Sequence, residues 1–138
     1  MKPNPVVHFE LPAKDIKRMS KFYQTAFGWG AQSMGAEMGE YEVVTTTESD
    51  AKTGRPTTPG AINGGLYKMT EDEYSQHPSV VISVDDLDES MQKTTDAGGT
   101  IHGEPYDIPG IGRYVSIVDT EGNRVSLLQP SPDMEGKK

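Results

Sequence analysis

An imidazole and a carboxylate stand two positions apart in Val6-Val7-His8-Phe9-Glu10-Leu11. The run reads as a β-strand, in which alternate side chains share a face. His8 and Glu10 therefore point one way, and Val7, Phe9 and Leu11 point the other, toward a helix. Such a pair suits proton transfer, polar contact with a ligand, or one corner of a metal site. A carboxylate in this setting can equally be structural, satisfied by a tyrosine or arginine such as Tyr114 or Arg113. The chain has three histidines (His8, His77 and His102) and no cysteine, which removes disulfides, thiol catalysis and thiolate-bound metals.

The surrounding chain must hold these groups in place. Its 138 residues suit one domain spanning 1–138. A formal net charge of −8 argues against a nucleic-acid backbone or an anionic membrane as partner. Fifteen glycines and ten prolines predict short elements joined by turns. No apolar run is long enough to span a bilayer, and Met1-Lys-Pro-Asn-Pro5 does not resemble a signal peptide, so the expected location is the cytoplasm.

After the first strand, Asp15 is positioned to cap a helix whose inward stripe is Ile16, Met19, Tyr23, Ala26 and Phe27, stopped by Gly28. Strands are expected at Ala31–Met34, Tyr41–Thr46 and Ala61–Tyr67. Between the last two, residues 48–60 carry no periodicity and form a loop of a length that is either mobile or functional. Ser79–Val84 is the next strand. Asp86 caps a helix from Leu87 to Ala97, with Glu89 at the spacing of a capping box. Thr100–His102 is a short strand, and Pro109-Gly110-Ile111-Gly112 is a lid or a tight turn. Arg113–Val118 and Arg124–Gln129 close as a hairpin.

Shifting the first half by 71 residues places His8 on Ser79, Phe9 on Val80, Leu11 on Ile82, Asp15 on Asp86, Ile16 on Leu87, Ala26 on Ala97 and Gly28 on Gly99. Seven gapless coincidences indicate a duplicated unit too small to bury a core alone. The predicted fold is α+β: two tandem βαβββ modules, about 5–68 and about 78–130, forming a curved mixed sheet around a central cleft with helices on the outer face. A tail over 131–138 is expected to be disordered.

Val-Val-His8-Phe-Glu10-Leu, Phe22-Tyr23…Phe27-Gly28-Trp29, Ile62-Asn-Gly-Gly-Leu66, Val84-Asp-Asp-Leu87 and Asp119-Thr-Glu-Gly-Asn123, in this order, resemble the vicinal oxygen chelate superfamily of glyoxalases, bleomycin-resistance proteins and extradiol dioxygenases. The resemblance runs from Val6 to Gln129. Within that group the chain is similar to small bacterial proteins related to lactoylglutathione lyase. Members that carry metal place ligands on the first, fourth, fifth and eighth strands. Carried over, the first position is His8, and the fourth-strand position falls in Asn63-Gly64-Gly65. The fifth-strand position is Ser79 and the eighth is Ser126. One of the four keeps a metal-binding side chain. The resemblance therefore implies no cofactor, with a divalent metal at a rebuilt position, drawing on His77 and Glu10, as the alternative. Pro78 after His77 argues for a strand entry there.

The remaining site candidates are His8 and Glu10 for catalysis, and Asn63, Gly64, Ser79, Tyr114 and Ser126 for ligand contact. The bare Gly64-Gly65 backbone leaves room for a ligand to approach. Trp29, Tyr41, Tyr67 and Tyr114 can line a pocket or serve as ordinary packing. Three functions follow. The first is a small-molecule-binding protein, glyoxalase/bleomycin-resistance-like and lacking the family metal. The second is a lyase or isomerase using His8 and Glu10, and the third a non-catalytic regulatory or structural module. The resemblance also implies a homodimer.

Overall fold

The computed structural model describes residues 1–132. The region expected to be a disordered tail lies outside the described residues from position 133 onward. Two compact units are present: residues 8–78, and residues 1–7 together with residues 79–132. Ser83 N–H donates to the carbonyl of Pro5, which ties the first residues to the second unit.

The first unit holds β1 (Val6–Ala13, whose first two residues belong to the other unit), α1 (Ile16–Phe27), β2 (Gly30–Ser33), β3 (Glu42–Thr45) and β4 (Asn63–Lys68). Its strand order is β2-β3-β4-β1, with β1 and β4 parallel and the other pairs antiparallel. Asp15 caps α1 as expected, accepting from Arg18 N–H at 3.0 Å, and Gly28 ends it at a φ of 73°, where a side chain would be strained. Ala13, Ile16, Val44 and Leu66 form the core, with Phe9, Leu11, Met19 and Trp29 packed against it. Phe9 and Leu11 thus face the helix, as the alternation predicts.

Ala26 and Phe27 do not follow the predicted stripe: both are exposed, Phe27 at 65%, and Phe22, outside the stripe, is 56% exposed. Trp29 stacks flat on Tyr23, with ring centroids 4.4 Å apart, and Tyr23 also meets Phe27 and Phe22. The indole covers the last turn, so Phe27 stays outside. The segment expected as a mobile or functional loop is hydrogen-bonded. Ser49 pairs with Pro56, Thr57 N–H donates to Glu48, and Asp50 caps a turn by accepting from Lys52 and Thr53 N–H. Those two backbone donors hold the Asp50 carboxyl below its usual range.

The second unit holds β5 (Ser79–Ser83), α2 (Leu87–Asp96), β6 (Thr100–Ile108), β7 (Gly112–Val118) and β8 (Arg124–Pro130) in the order β5-β8-β7-β6. Again the first and last strands of the module, β5 and β8, run parallel. The core is Val84, Leu87, Val115, Ile117 and Leu127. Asp86 caps α2 through Glu89 N–H, but the Glu89 carboxylate pairs with Lys93 at 3.0 Å, the i,i+4 geometry of a helix surface. β6 is longer than expected because its register shifts between His102 and Tyr106, which accommodates Gly103 (φ 83°) and Pro105. Ile111 N–H donates to Ile108, so Pro109–Gly112 is a tight turn. The β7–β8 turn is tied by Asp119, which accepts from the N–H groups of Glu121 and Asn123 and from the Asn123 side chain.

Candidate functional site

Strand alternation in the first unit leaves His8 and Glu10 on the face opposite the helix. The parallel pairing of β1 with β4 sets His8 beside Asn63 and Glu10 beside Gly65, while Val43 of β3 lies across from Gly65. Tyr41 lies two residues before Val43, on the same face. Its hydroxyl lies 3.0 Å from His8 Nε2 and donates to Glu10 Oε2 at 3.4 Å. Histidine, tyrosine and glutamate thus form one hydrogen-bonded chain. Glu10 is buried at 6% exposure and His8 is half-buried. Burial pushes the His8 imidazole below its ordinary value of 6.5, and the nearby Glu10 charge offsets part of this.

The sign of that shift fixes a pH dependence. An unfolded chain binds a proton at His8 below 6.5, whereas the folded chain does so only at lower pH. His8 therefore contributes no penalty above that value and costs stability as pH falls through the window beneath it. Comparing urea midpoints at about pH 7.5 and about pH 5.5 should show a smaller acid-side loss for His8→Gln than for the parent chain. An equal loss in both would place the titrating group elsewhere.

The two glycines of β4 are accounted for by the protein's own rings. A Cβ at Gly64 would strike the Phe9 ring on the helix side, and a Cβ at Gly65 would strike the Tyr41 phenol on the His8 side. The space that the sequence leaves for a ligand beside this backbone is taken by Phe9 and Tyr41. Asn63, 7% exposed, accepts from Thr46 N–H at 2.9 Å and donates to Ser49 Oγ and the Gly54 carbonyl. These bonds use most of the capacity of an amide and anchor the 46–62 loop.

The second unit repeats the geometry with different chemistry. Val81 pairs with Ser126 between β5 and β8, and Ser116 lies across from Ser126 on β7. Ser79 is the counterpart of His8, so Val81 stands for Glu10, Ser126 for Gly65 and Tyr114 for Tyr41. Tyr114 Oη lies 2.7 Å from Ser126 Oγ, which also meets Ser116 Oγ at 3.3 Å and accepts from Arg124 at 3.1 Å. Ser126 is fully buried and its hydroxyl is fully engaged. Ser79 Oγ is buried with no hydrogen-bond partner among the described residues. Tyr114 and Ser126 thus come together in this unit, and His8 and Glu10 come together in the other.

The sequence did not single out Tyr41 as the centre of the first group. Its signal is the pairing of a tyrosine two residues before one strand with a glycine on the next, repeated as Tyr114 over Ser126. His77 precedes Pro78 and lies outside β5, as that proline implies. His102 sits on β6 across from Ser116.

A divalent ion needs imidazole, carboxylate or similar donors with open positions. At the family's ligand positions the first unit offers His8 and a glycine under a phenol ring, with the nearby Glu10 carboxylate bonded to that phenol; the second offers a neutral serine and a serine already engaged. No group of three or more His, Asp or Glu residues among the described residues is arranged to hold an ion. These residues do not fit the family's metal.

A family model described as Glyoxalase/Bleomycin resistance protein/Dioxygenase superfamily matches residues 6–127. The chain belongs to this superfamily. It is 33% identical over 115 residues to CFP32 of Mycobacterium tuberculosis, covering 80% of this chain and 38% of that protein. A glyoxylase-like domain-containing protein of Didymella fabae is 30% identical over 120 residues, covering 83% of this chain and 84% of the relative. The anthracycline biosynthesis protein DnrV of Streptomyces peucetius is 27% identical over 126 residues, 87% of this chain and 45% of DnrV. The chain thus spans less than half the length of CFP32 and DnrV. Among solved structures, methylmalonyl-CoA epimerase from Mycobacterium tuberculosis is similar with a TM-score of 0.64 at 17% identity, covering 95% of this chain and 91% of that one. The complex of methylmalonyl-CoA epimerase with methylmalonyl-CoA and NH4+ gives 0.67 at 14% identity, covering 93% and 95%. At such identities the likeness shows the fold: α+β, two helices and tandem βαβββ modules. No helix among the described residues is long and apolar enough to cross a membrane.

Proposed function

We propose that this superfamily member binds a small molecule at the His8 face of its first module and does so without the family's divalent metal. The observation that carries the reading is the phenol of Tyr41 over Gly65, bonded to both His8 and Glu10. It occupies the volume into which a fourth-strand ligand side chain would project and ties up the one retained ligand, His8. The polar side chains that this face presents are His8 and Glu10, held together through Tyr41.

The test is a thermal-shift screen with small oxygenated compounds and aromatic antibiotics in the presence of a chelator. Binding should raise the melting temperature, by mass action on the folded state. His8→Ala should weaken the response to a hit by about threefold to tenfold while the melting temperature without ligand changes little. An unchanged response together with a large loss of stability would make His8 a packing residue and sink the proposal.

A second reading is favoured by the same hydrogen-bonded chain. A histidine kept neutral by burial and joined through a phenol to a carboxylate can move a proton, so a metal-free lyase or isomerase using His8 and Glu10 is the alternative. Loss of turnover in Glu10→Gln, with ligand affinity kept, would favour it. The proposal includes a homodimer in the cytoplasm. Exposed Phe22 and Phe27 support association with a second copy, and light scattering should report twice the chain mass, with Phe22→Ser/Phe27→Ser reverting it to one.

A further inference from the structure

We infer that His8 presents a lone pair to the ligand at Nδ1, so that this site recognises an uncharged hydroxyl or amide N–H donor rather than an anion. The inference rests on the reading of the His8 face as the ligand site and adds the chemistry of what it takes.

The proton count on Tyr41 decides the orientation. A phenol has one proton to donate, and its oxygen can accept. Glu10 Oε2 is an acceptor at 3.4 Å, so the phenolic proton points there. His8 Nε2, 3.0 Å from the same oxygen, must then be the donor. The reverse arrangement, with Tyr41 donating to His8, would leave the phenolic oxygen facing Glu10 Oε2 lone pair to lone pair, without the hydrogen bond between them. A neutral imidazole that donates at Nε2 has an acceptor at Nδ1. His8 makes no other hydrogen bond among the described residues, and the residue as a whole is half-buried.

The rest of the group reinforces the preference. Tyr41 directs its proton to Glu10, away from any ligand, and Glu10 adds a buried acceptor. A carboxylate or phosphate placed at Nδ1 would meet a lone pair and a nearby carboxylate, with no proton to receive. A hydroxyl or amide placed there completes the hydrogen bonding of the ring.

The experiment is nitrogen NMR on the histidine-labelled 138-residue chain above the His8 titration, with the His8 signals assigned by His8→Gln. Long-range proton–nitrogen coupling should show a single tautomer, protonated at Nε2 and bare at Nδ1. Tyr41→Phe, which keeps the ring over Gly65, should collapse this to a mixture of tautomers. Protonation at Nδ1 in the parent chain would overturn the inference. Phenol and benzoate, two probes sharing a ring, are then titrated: phenol should shift the Nδ1 signal and benzoate should not. Affinity for phenol should fall about threefold to tenfold in Tyr41→Phe. A shift with benzoate alone, or with neither probe, would overturn the inference. Hits in the thermal-shift screen that leave the His8 signals unmoved would overturn it while sparing small-molecule binding, whereas a screen without hits would sink the binding reading itself.

Discussion

Gly65→Glu is expected to destabilise the protein by about 3 kcal/mol or more and to gain no stoichiometric metal. The substitution places a carboxylate within the stretch where the family carries its fourth-strand ligand, so simple ligand restoration would predict a metal site. The geometry predicts otherwise. A side chain at Gly65 would occupy the space of the Tyr41 phenol. Tyr41 would have to leave, losing its bonds to His8 and Glu10 and exposing the buried Glu10 carboxylate to a second one. Two carboxylates in one buried site repel, and a buried group stripped of its donor keeps its desolvation cost. Urea unfolding measures the loss. In a Tyr41→Ala background the same substitution should cost about 1–3 kcal/mol less, because the ring it displaces is already gone. Equal costs in the two backgrounds would mean that Tyr41 does not pack on Gly65.

Leu66→Ala should cost about 2–5 kcal/mol. Leu66 is fully buried on β4 and points to the helix side, where it joins Ala13, Ile16 and Val44. Truncation removes apolar contacts that a strand held on both sides cannot close by collapsing, so a cavity remains. The repeat supplies an internal comparison: Leu127, 4% exposed in the second unit, holds the equivalent place in β8 and should show a loss of the same order. A shift in the urea midpoint without a change in slope identifies the loss as stability alone. A cost below about 1 kcal/mol at either position would contradict its place in the core.

The fold was legible because duplication leaves its mark on punctuation. Asp15 and Asp86 cap the two helices, Gly28 and Gly99 follow them, and a constant offset of 71 residues joins the pairs. Beyond the helices that offset fails. Tyr114 lies 73 residues after Tyr41, and the offset then drops to 61 between Gly65 and Ser126, because the loop before β4 is longer than the turn before β8. Strand register recovers the equivalence that spacing hides, and with it the role of Tyr41. His8 and Glu10 were readable as a pair from strand alternation alone. Asn63 and Gly64 were readable as special but not for what: one anchors a loop and the other admits Phe9, and both depend on partners distant in sequence. Phe27 misled because helical periodicity cannot foresee an indole from the next segment stacking on Tyr23. The exposed side chains left behind are the kind of feature that local pattern cannot explain.

The most direct test of a metal-free site is elemental analysis of the full chain purified without chelator and dialysed against trace metals. The account predicts no stoichiometric divalent ion and a ligand-induced thermal shift that is the same with and without chelator. One tightly held ion per chain, with ligand binding lost on its removal, would contradict it.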